Sequence, residues 1–188
     1  MSSYLFNKAL RILLFTNALI LVAIAMLGPV YAIFVEQIGG DLLDASMTGA
    51  IFAFTAGLTS LIAGKYADRI KENELILVIG YSIIGIGFIC YTFVDNISKL
   101  FFVQIIMGIG EAIYSPAFDA LYSKHLTKKR AGRQWGAWEA MYYFVTAFGA
   151  MLGGLLIYSF GFNFIFILMA LLSFTSAFYI YFLPRKIL

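Results

Sequence analysis

The chain has 188 residues, 62% of them hydrophobic and only 12% charged, with a net charge of +3 and a mean hydropathy of +0.92. A water-soluble domain carries about 25% charged residues and at most about half apolar ones, so this composition is that of an integral membrane protein. A single cysteine, Cys90, and a single histidine, His125, exclude a disulfide framework and a thiolate–imidazole metal cluster.

A helix that crosses a bilayer needs about 20 apolar residues. Six runs qualify: 12–35, 47–64, 75–94, 100–123, 134–158 and 162–183. The expected fold is all-α, one bundle of six transmembrane helices over residues 1–188. Short loops should join them antiparallel, because lipid leaves no partner for open backbone. Lysine and arginine set the orientation. With a cytoplasmic N-terminus, Lys8, Arg11, Lys65, Arg69, Lys71, Lys124, Lys128, Lys129, Arg130, Arg133, Arg185 and Lys186 all fall inside, and only Lys99 falls outside. Both ends are therefore expected in the cytoplasm, and the chain is expected to be a multi-pass protein of the cytoplasmic membrane.

The first span begins like a signal peptide, with Lys8 and Arg11 before an apolar run and a small-x-small site at Ala23-Ile24-Ala25. The apolar run continues unbroken through Val35, so the expectation is a retained helix. Gly28-Pro29 should kink it, since proline removes a backbone donor and clashes with the preceding turn. Asn17, Gly28 and Tyr31 fall on one face. The second span carries Thr48, Thr55 and Thr59, whose hydroxyls can bond back to their own helix. Six of the ten residues from Lys65 to Glu74 are charged. The third span holds Gly80, Gly85 and Gly87, which permit close helix approach. Asp95 and Asn96 mark an outer turn.

The fourth span carries the most information. At 100° per residue, Gln104, Gly108, Glu111, Ser115, Asp119 and Tyr122 fall within about 80° of one another on an otherwise apolar helix. A carboxylate in a membrane span usually faces a bundle interior or a water-filled cavity and marks function. The alternative is a protonated acid that only packs. The basic loop 124–133 should meet anionic headgroups, with Trp135 and Trp138 near the interface. In the fifth span Glu139, Tyr143, Thr146 and Gly153 share a face, and Gly149, Gly153 and Gly154 offer a small-residue packing surface. The sixth span has no charge and reads as a peripheral helix facing lipid or a partner.

Three acids thus lie within the spans, Glu111, Asp119 and Glu139, and no lysine or arginine lies deep in any of them. Burial disfavours the charged carboxylate unless a cation or donors offset it. Glu111 is expected to be neutral when closed off, or to meet a proton or a cationic ligand. Arg130 or Arg133 can reach Asp119 and Glu139 from the inner side. An enzyme needs a nucleophile with its base, a metal site or an acid pair. Gly108-Ile109-Gly110-Glu111 has a superficial likeness to the Gly-x-Gly-Asp of intramembrane aspartyl proteases, but it carries Glu and has no second Asp in a suitable neighbouring helix. No enzyme, cofactor, metal or nucleic-acid partner is expected.

Between spans two and three the chain reads Gly64-Lys65-Tyr66-Ala67-Asp68-Arg69-Ile70-Lys71-Glu72. This resembles the loop signature of the major facilitator superfamily, Gly-x-x-x-Asp-Arg followed by basic residues, although Glu72 stands at the later basic position. Asp68 is suited to capping the start of span three while pairing with a cation. Leu100, Gln104, Gly108, Gly110, Glu111 and Ala112 look like the family's second motif, with Gln104 where that motif has arginine. Gly149-Ala150-Met151-Leu152-Gly153-Gly154 is similar to the family's antiporter motif, with Ala150 replacing proline. Ser115-Pro116-Ala117 and the basic loop also fit.

The resemblance implies one six-helix half of a twelve-helix, alternating-access carrier, most like drug or metabolite carriers. It would work as a parallel homodimer or with a second half, or be a fragment of a longer chain. The implied cargo is a small molecule, cationic or lipophilic, coupled to protons. Binding then falls to Glu111, Glu139, Gln104, Asn17, Tyr31, Ser115 and Tyr143. Conformational gating falls to Gly64, Asp68, Arg69 and Asp119, and helix packing to Gly149, Gly153 and Gly154. A non-transporting membrane scaffold is the alternative.

Overall fold

The computed structural model describes residues 5–67, 72–184 and 187–188. Helix α1 (Lys8–Leu27) starts at Asn7, whose Oδ1 accepts from the Leu10 amide at 2.9 Å, satisfying one of the donors a helix start leaves open. It ends in a 3₁₀ turn at Gly28–Val30, and α2 (Tyr31–Gln37) completes the first span. The expected break is there, because Pro29 cannot donate to the helix ladder. Gly39, at φ 85°, turns the chain into α3 (Leu42–Ala67). Asp41 and Asp44 cap that helix reciprocally, each carboxylate accepting the other's amide at 2.9–3.0 Å. Then come α4 (Asn73–Tyr91) and α5 (Ile97–Lys124), the latter capped by Asn96. A 3₁₀ turn at Lys128–Arg130 leads into α6 (Ala131–Phe160), and Gly161 separates it from α7 (Phe162–Tyr181). Six helical stretches among the described residues are long and apolar enough to cross a membrane.

Four spans run a few residues past the expected bounds, the second most, from Leu42 to Ala67, because capped and charged ends continue the backbone ladder beyond the apolar run, while α4 and α7 stop short at Tyr91 and Tyr181. The expected gating residues Asp68 and Arg69 lie outside the described residues, as do the packing surroundings of Gly64. The cap position of α4 is Glu72, whose side chain makes no capping bond. Pro116 sits inside α5 without interrupting it.

The packing has an internal symmetry. The main contacts pair α1 with α6 and α3 with α5, α1 with α7 and α4 with α5, and α4 with α7. Exchanging the first three spans for the last three maps this set onto itself, as in the inverted repeats nested in carrier halves. Glycines set the closest approaches. A Cβ on Gly80 would meet the Tyr114 Cβ at 2.5 Å, and one on Gly108 would meet the Phe52 carbonyl oxygen at 2.6 Å. The core lies along α1, α4, α5 and α7. The sixth span is therefore more than a cover. Ile165, Phe166, Met169, Ala170, Ser173, Ser176, Ala177 and Ile180 bury one face against α1 and α4, while Leu171 and Phe178 point outward. Its uniform hydropathy hid that two-sidedness. Helices α3 and α6 are the reverse, with Phe54, Leu58 and Leu61 on one and Phe144, Phe148 and Met151 on the other largely exposed.

Candidate functional site

Polar side chains gather at three levels of this apolar bundle. Nearest the rim that bears Asp95, the Gln104 amide donates to the Tyr31 hydroxyl at 2.7 Å and to the Tyr91 hydroxyl at 2.8 Å. The three residues come from α5, α2 and α4. Gln104 is 6% exposed, so an unpaired amide there would be costly, and the two phenols satisfy it. The 3₁₀ turn at Gly28–Val30 brings Tyr31 to this point. Thr48, beside Tyr31, bonds back to the Ala45 carbonyl at 2.6 Å. Next to the triad opens a cavity of ≈ 240 Å³ lined by Ile24, Leu27, Gly28, Gly49, Phe52, Phe88, Met107 and Met169 together with the triad itself.

The middle level holds Glu111. It lies seven residues along α5 from Gln104, about 10 Å at 1.5 Å per residue. Its carboxyl is beside the Tyr114 hydroxyl, and Tyr114 packs on Tyr81 with ring centroids 5.0 Å apart. Tyr81 is fully buried, and its hydroxyl has no hydrogen-bond partner among the described residues. Asn17 and Thr16 of α1 flank Tyr81. Asn17 Oδ1 accepts from the Trp138 indole at 3.1 Å, so Trp138 turns inward rather than resting at the interface. Thr16 returns its proton to the Ile12 carbonyl, and its own carbonyl accepts from Ser176.

The third level is the rim with the basic loop. Gln134, buried, accepts from the Thr127 amide at 2.9 Å and donates to the Leu5 carbonyl at 2.8 Å, while its backbone carbonyl accepts from Tyr122 at 2.6 Å. Asn7 donates to the His125 carbonyl at 2.9 Å. The start of the chain is thereby fastened to the loop between α5 and α6. Phe118, Tyr122, Trp135 and Trp138 stack across this joint at 4.7–6.2 Å.

The expected site residues therefore divide. Gln104 and Tyr31 are joined directly, and Asn17 and Glu111 flank Tyr81 from opposite helices. Asn17 and Tyr31 do not share a station, because 14 residues and the 3₁₀ break separate them along the first span. Ser115 is half-buried one turn beyond Glu111, and Asp119 is exposed near the Lys124 end of α5. Glu139 and Tyr143 lie on the open face of α6, with Tyr143 62% exposed. Gly149 and Gly153 face α1, whereas Gly154 faces open space. Sequence reasoning missed Tyr81, Tyr91, Tyr114 and Gln134. The tyrosines were hidden among 12 in an apolar chain, and only their spacing to Gln104 and Glu111 across helices marks them.

A family model described as Major Facilitator Superfamily matches residues 13–187. The chain is 27% identical over 183 residues to Multidrug resistance protein MdtG of Proteus mirabilis (strain HI4320), covering 94% of this chain and 45% of that protein. It is 25% identical over 179 residues to the MdtG of Yersinia enterocolitica serotype O:8, covering 93% and 43%. It thus spans less than half the length of these relatives. Among solved structures, the POT family transporter PepTSo superposes with a TM-score of 0.74 at 14% identity, over 94% of this chain and 37% of that one.

Proposed function

The chain belongs to the Major Facilitator Superfamily, and from that premise we propose that it is a six-helix half of an alternating-access secondary transporter for small molecules. Members of this family are transporters rather than enzymes. The proposed cargo is lipophilic or cationic and its movement is coupled to protons. Both ends of the chain lie in the cytoplasm, on the twelve-to-one distribution of lysine and arginine. The bare faces of α3 and α6 pack against a second six-helix unit, supplied by another copy, by a separate half or by further residues of a longer chain. Glu139 and Tyr143 on the α6 face would then border the path between the units.

Glu111 is the observation that carries this reading. A carboxylic acid in the middle of an apolar span, about 21 Å from the Ile97 end of α5, is expensive to keep for packing alone. It stands beside Tyr114 and near Tyr81, groups able to exchange hydrogen bonds with it as its proton comes and goes.

The test is substrate flux in proteoliposomes with and without a pH gradient, run on wild type and Glu111→Gln. Glutamine copies the neutral acid, so the variant should fold and lose gradient-driven uptake. Uptake and pH dependence that survive unchanged, with only thermal stability altered, would make Glu111 a packing residue. A strict monomer in nanodiscs that moves no substrate would favour the scaffold alternative, for which the bare faces of α3 and α6 are docking surfaces.

A further inference from the structure

The Gln104 cavity has a chemistry of its own. None of its lining residues carries a charge at neutral pH, and the nearest acid on α5, Glu111, is two turns away. Its walls are aliphatic, thioether and aromatic, from Ile24, Phe52, Phe88, Met107 and Met169. Its polar equipment is the triad alone. Gln104 has committed both amide protons to the two phenol oxygens. That leaves one amide carbonyl to accept and two phenol protons to donate. At ≈ 240 Å³ the space is below the range of drug-sized pockets, about 300–1,000 Å³, and suits a molecule of one or two rings.

We infer that this cavity is a binding site for an uncharged, mainly apolar small molecule that presents both a hydrogen-bond acceptor and a donor, such as an aryl amide or aryl alcohol, and that it is distinct from the ionisable station at Glu111. The inference rests on the transporter reading for its role, since it makes the ligand part of the cargo and separates cargo recognition from proton binding. A cation is excluded from this pocket by the cost of stripping its water with no counter-charge in reach. A neutral ligand bound here does not compete with a proton for one carboxylate. Coupling then passes through α5, which carries both stations.

The test is equilibrium binding to the purified protein in nanodiscs, with 1-naphthylacetamide as the neutral probe and 1-naphthylmethylammonium as its charged counterpart. The amide should bind saturably and the ammonium roughly tenfold more weakly or not at all. Tyr91→Phe should weaken the amide by roughly 3- to 10-fold, the worth of one neutral hydrogen bond. Gly49→Leu is the second variant. Gly49 lines the cavity and a Cβ there meets nothing within 4 Å, so a longer side chain has room at the wall, and it should abolish amide binding with the melting temperature kept. Equal binding of the two probes, or amide binding that survives Gly49→Leu, overturns the inference. Saturable amide binding without any flux in vesicles would keep the pocket and remove the transporter reading. Flux without amide binding would do the opposite.

Discussion

Replacing Gly153 by alanine should loosen the clamp between α6 and α1. The added Cβ would lie 2.6 Å from the Met26 carbonyl carbon and Cα, and closer still to the carbonyl oxygen. Ordinary van der Waals contact begins at 3.4 Å, so the helices must part by more than about 0.8 Å, and backbone has no rotamer with which to turn aside. Overfilling a close-packed contact costs about 1–3 kcal/mol. Alanine's better helix propensity returns about 0.5–1 kcal/mol of that. A net loss of about 1–2 kcal/mol corresponds to a fall in melting temperature of roughly 2–8 °C for a chain of this length. Gly154 is the internal control. It is the adjacent residue on the same helix, and a Cβ there meets nothing within 4 Å. Gly154→Ala should therefore hold or slightly raise the melting temperature. The assay is fluorescence-detected thermal unfolding in one detergent, with both variants beside wild type. A Gly153→Ala protein that melts at or above wild type, or two variants that shift together, would refute the steric reasoning and leave helix propensity as the only effect.

In a background with Cys90 replaced, a cysteine at position 96 should label from outside only and one at 129 from inside only. Labelling of both from one side would sink the proposed orientation. Asp68→Asn should slow transport while equilibrium substrate binding is kept, because the loop acid is proposed to gate conformational change rather than to touch cargo. Parallel flux and binding measurements check this, and no change in either removes the gating role. At the opposite rim, the hydrogen bond from Lys99 holds the Asp95 carboxyl below its usual range. A depressed carboxylate contributes stability above its unfolded pKa and loses it as pH falls through the folded value, so acidification alone should release this contact. Both side chains are exposed, and Asp95→Asn should barely move the melting temperature near neutral pH. Thermal scans across acidic and neutral pH measure it.

Hydropathy alone made the six spans legible, because each has to bury its backbone in lipid whatever its neighbours do. The break at Gly28-Pro29 was legible for an equally local reason. What one helix's periodicity does not encode is which face meets which partner. The sixth span is apolar all round, so its buried face, from Ile165 to Ile180, emerges only from contact with α1 and α4. The stripe on α5 put Gln104 and Glu111 on one face. It did not separate them into two stations, since that division is made by tyrosines on other helices, Tyr31 and Tyr91 at one and Tyr81 at the other. Asn17 and Tyr31 fall at different levels because 14 residues, about 21 Å of helix, separate them along the first span. Trp138 read as an interfacial anchor until its indole was found on Asn17.

The break in the first span has a mechanical consequence. Pro29 has no amide proton, so the Ala25 carbonyl receives no ladder bond from that position. Ala25 is the residue whose Cβ lies 2.8 Å from the space above Gly149, and the carbonyl of the next residue, Met26, meets Gly153. The weakest link in the first helix's ladder is thus seated in a notch cut by two glycines of α6. A joint that is soft along its own axis but gripped from the side behaves as a fulcrum. The long arm, Lys8–Leu27, is pinned by the Asn7 cap and the α6 notch. The short arm, Tyr31–Gln37, is anchored instead by Phe34 among Tyr91, Phe162 and Phe166, and the Tyr31 hydroxyl sits at its base. A small tilt there withdraws one of the two oxygens that hold the Gln104 amide. The seat of the first helix on α6 and the amide triad thus lie on either side of one turn, Gly28–Val30.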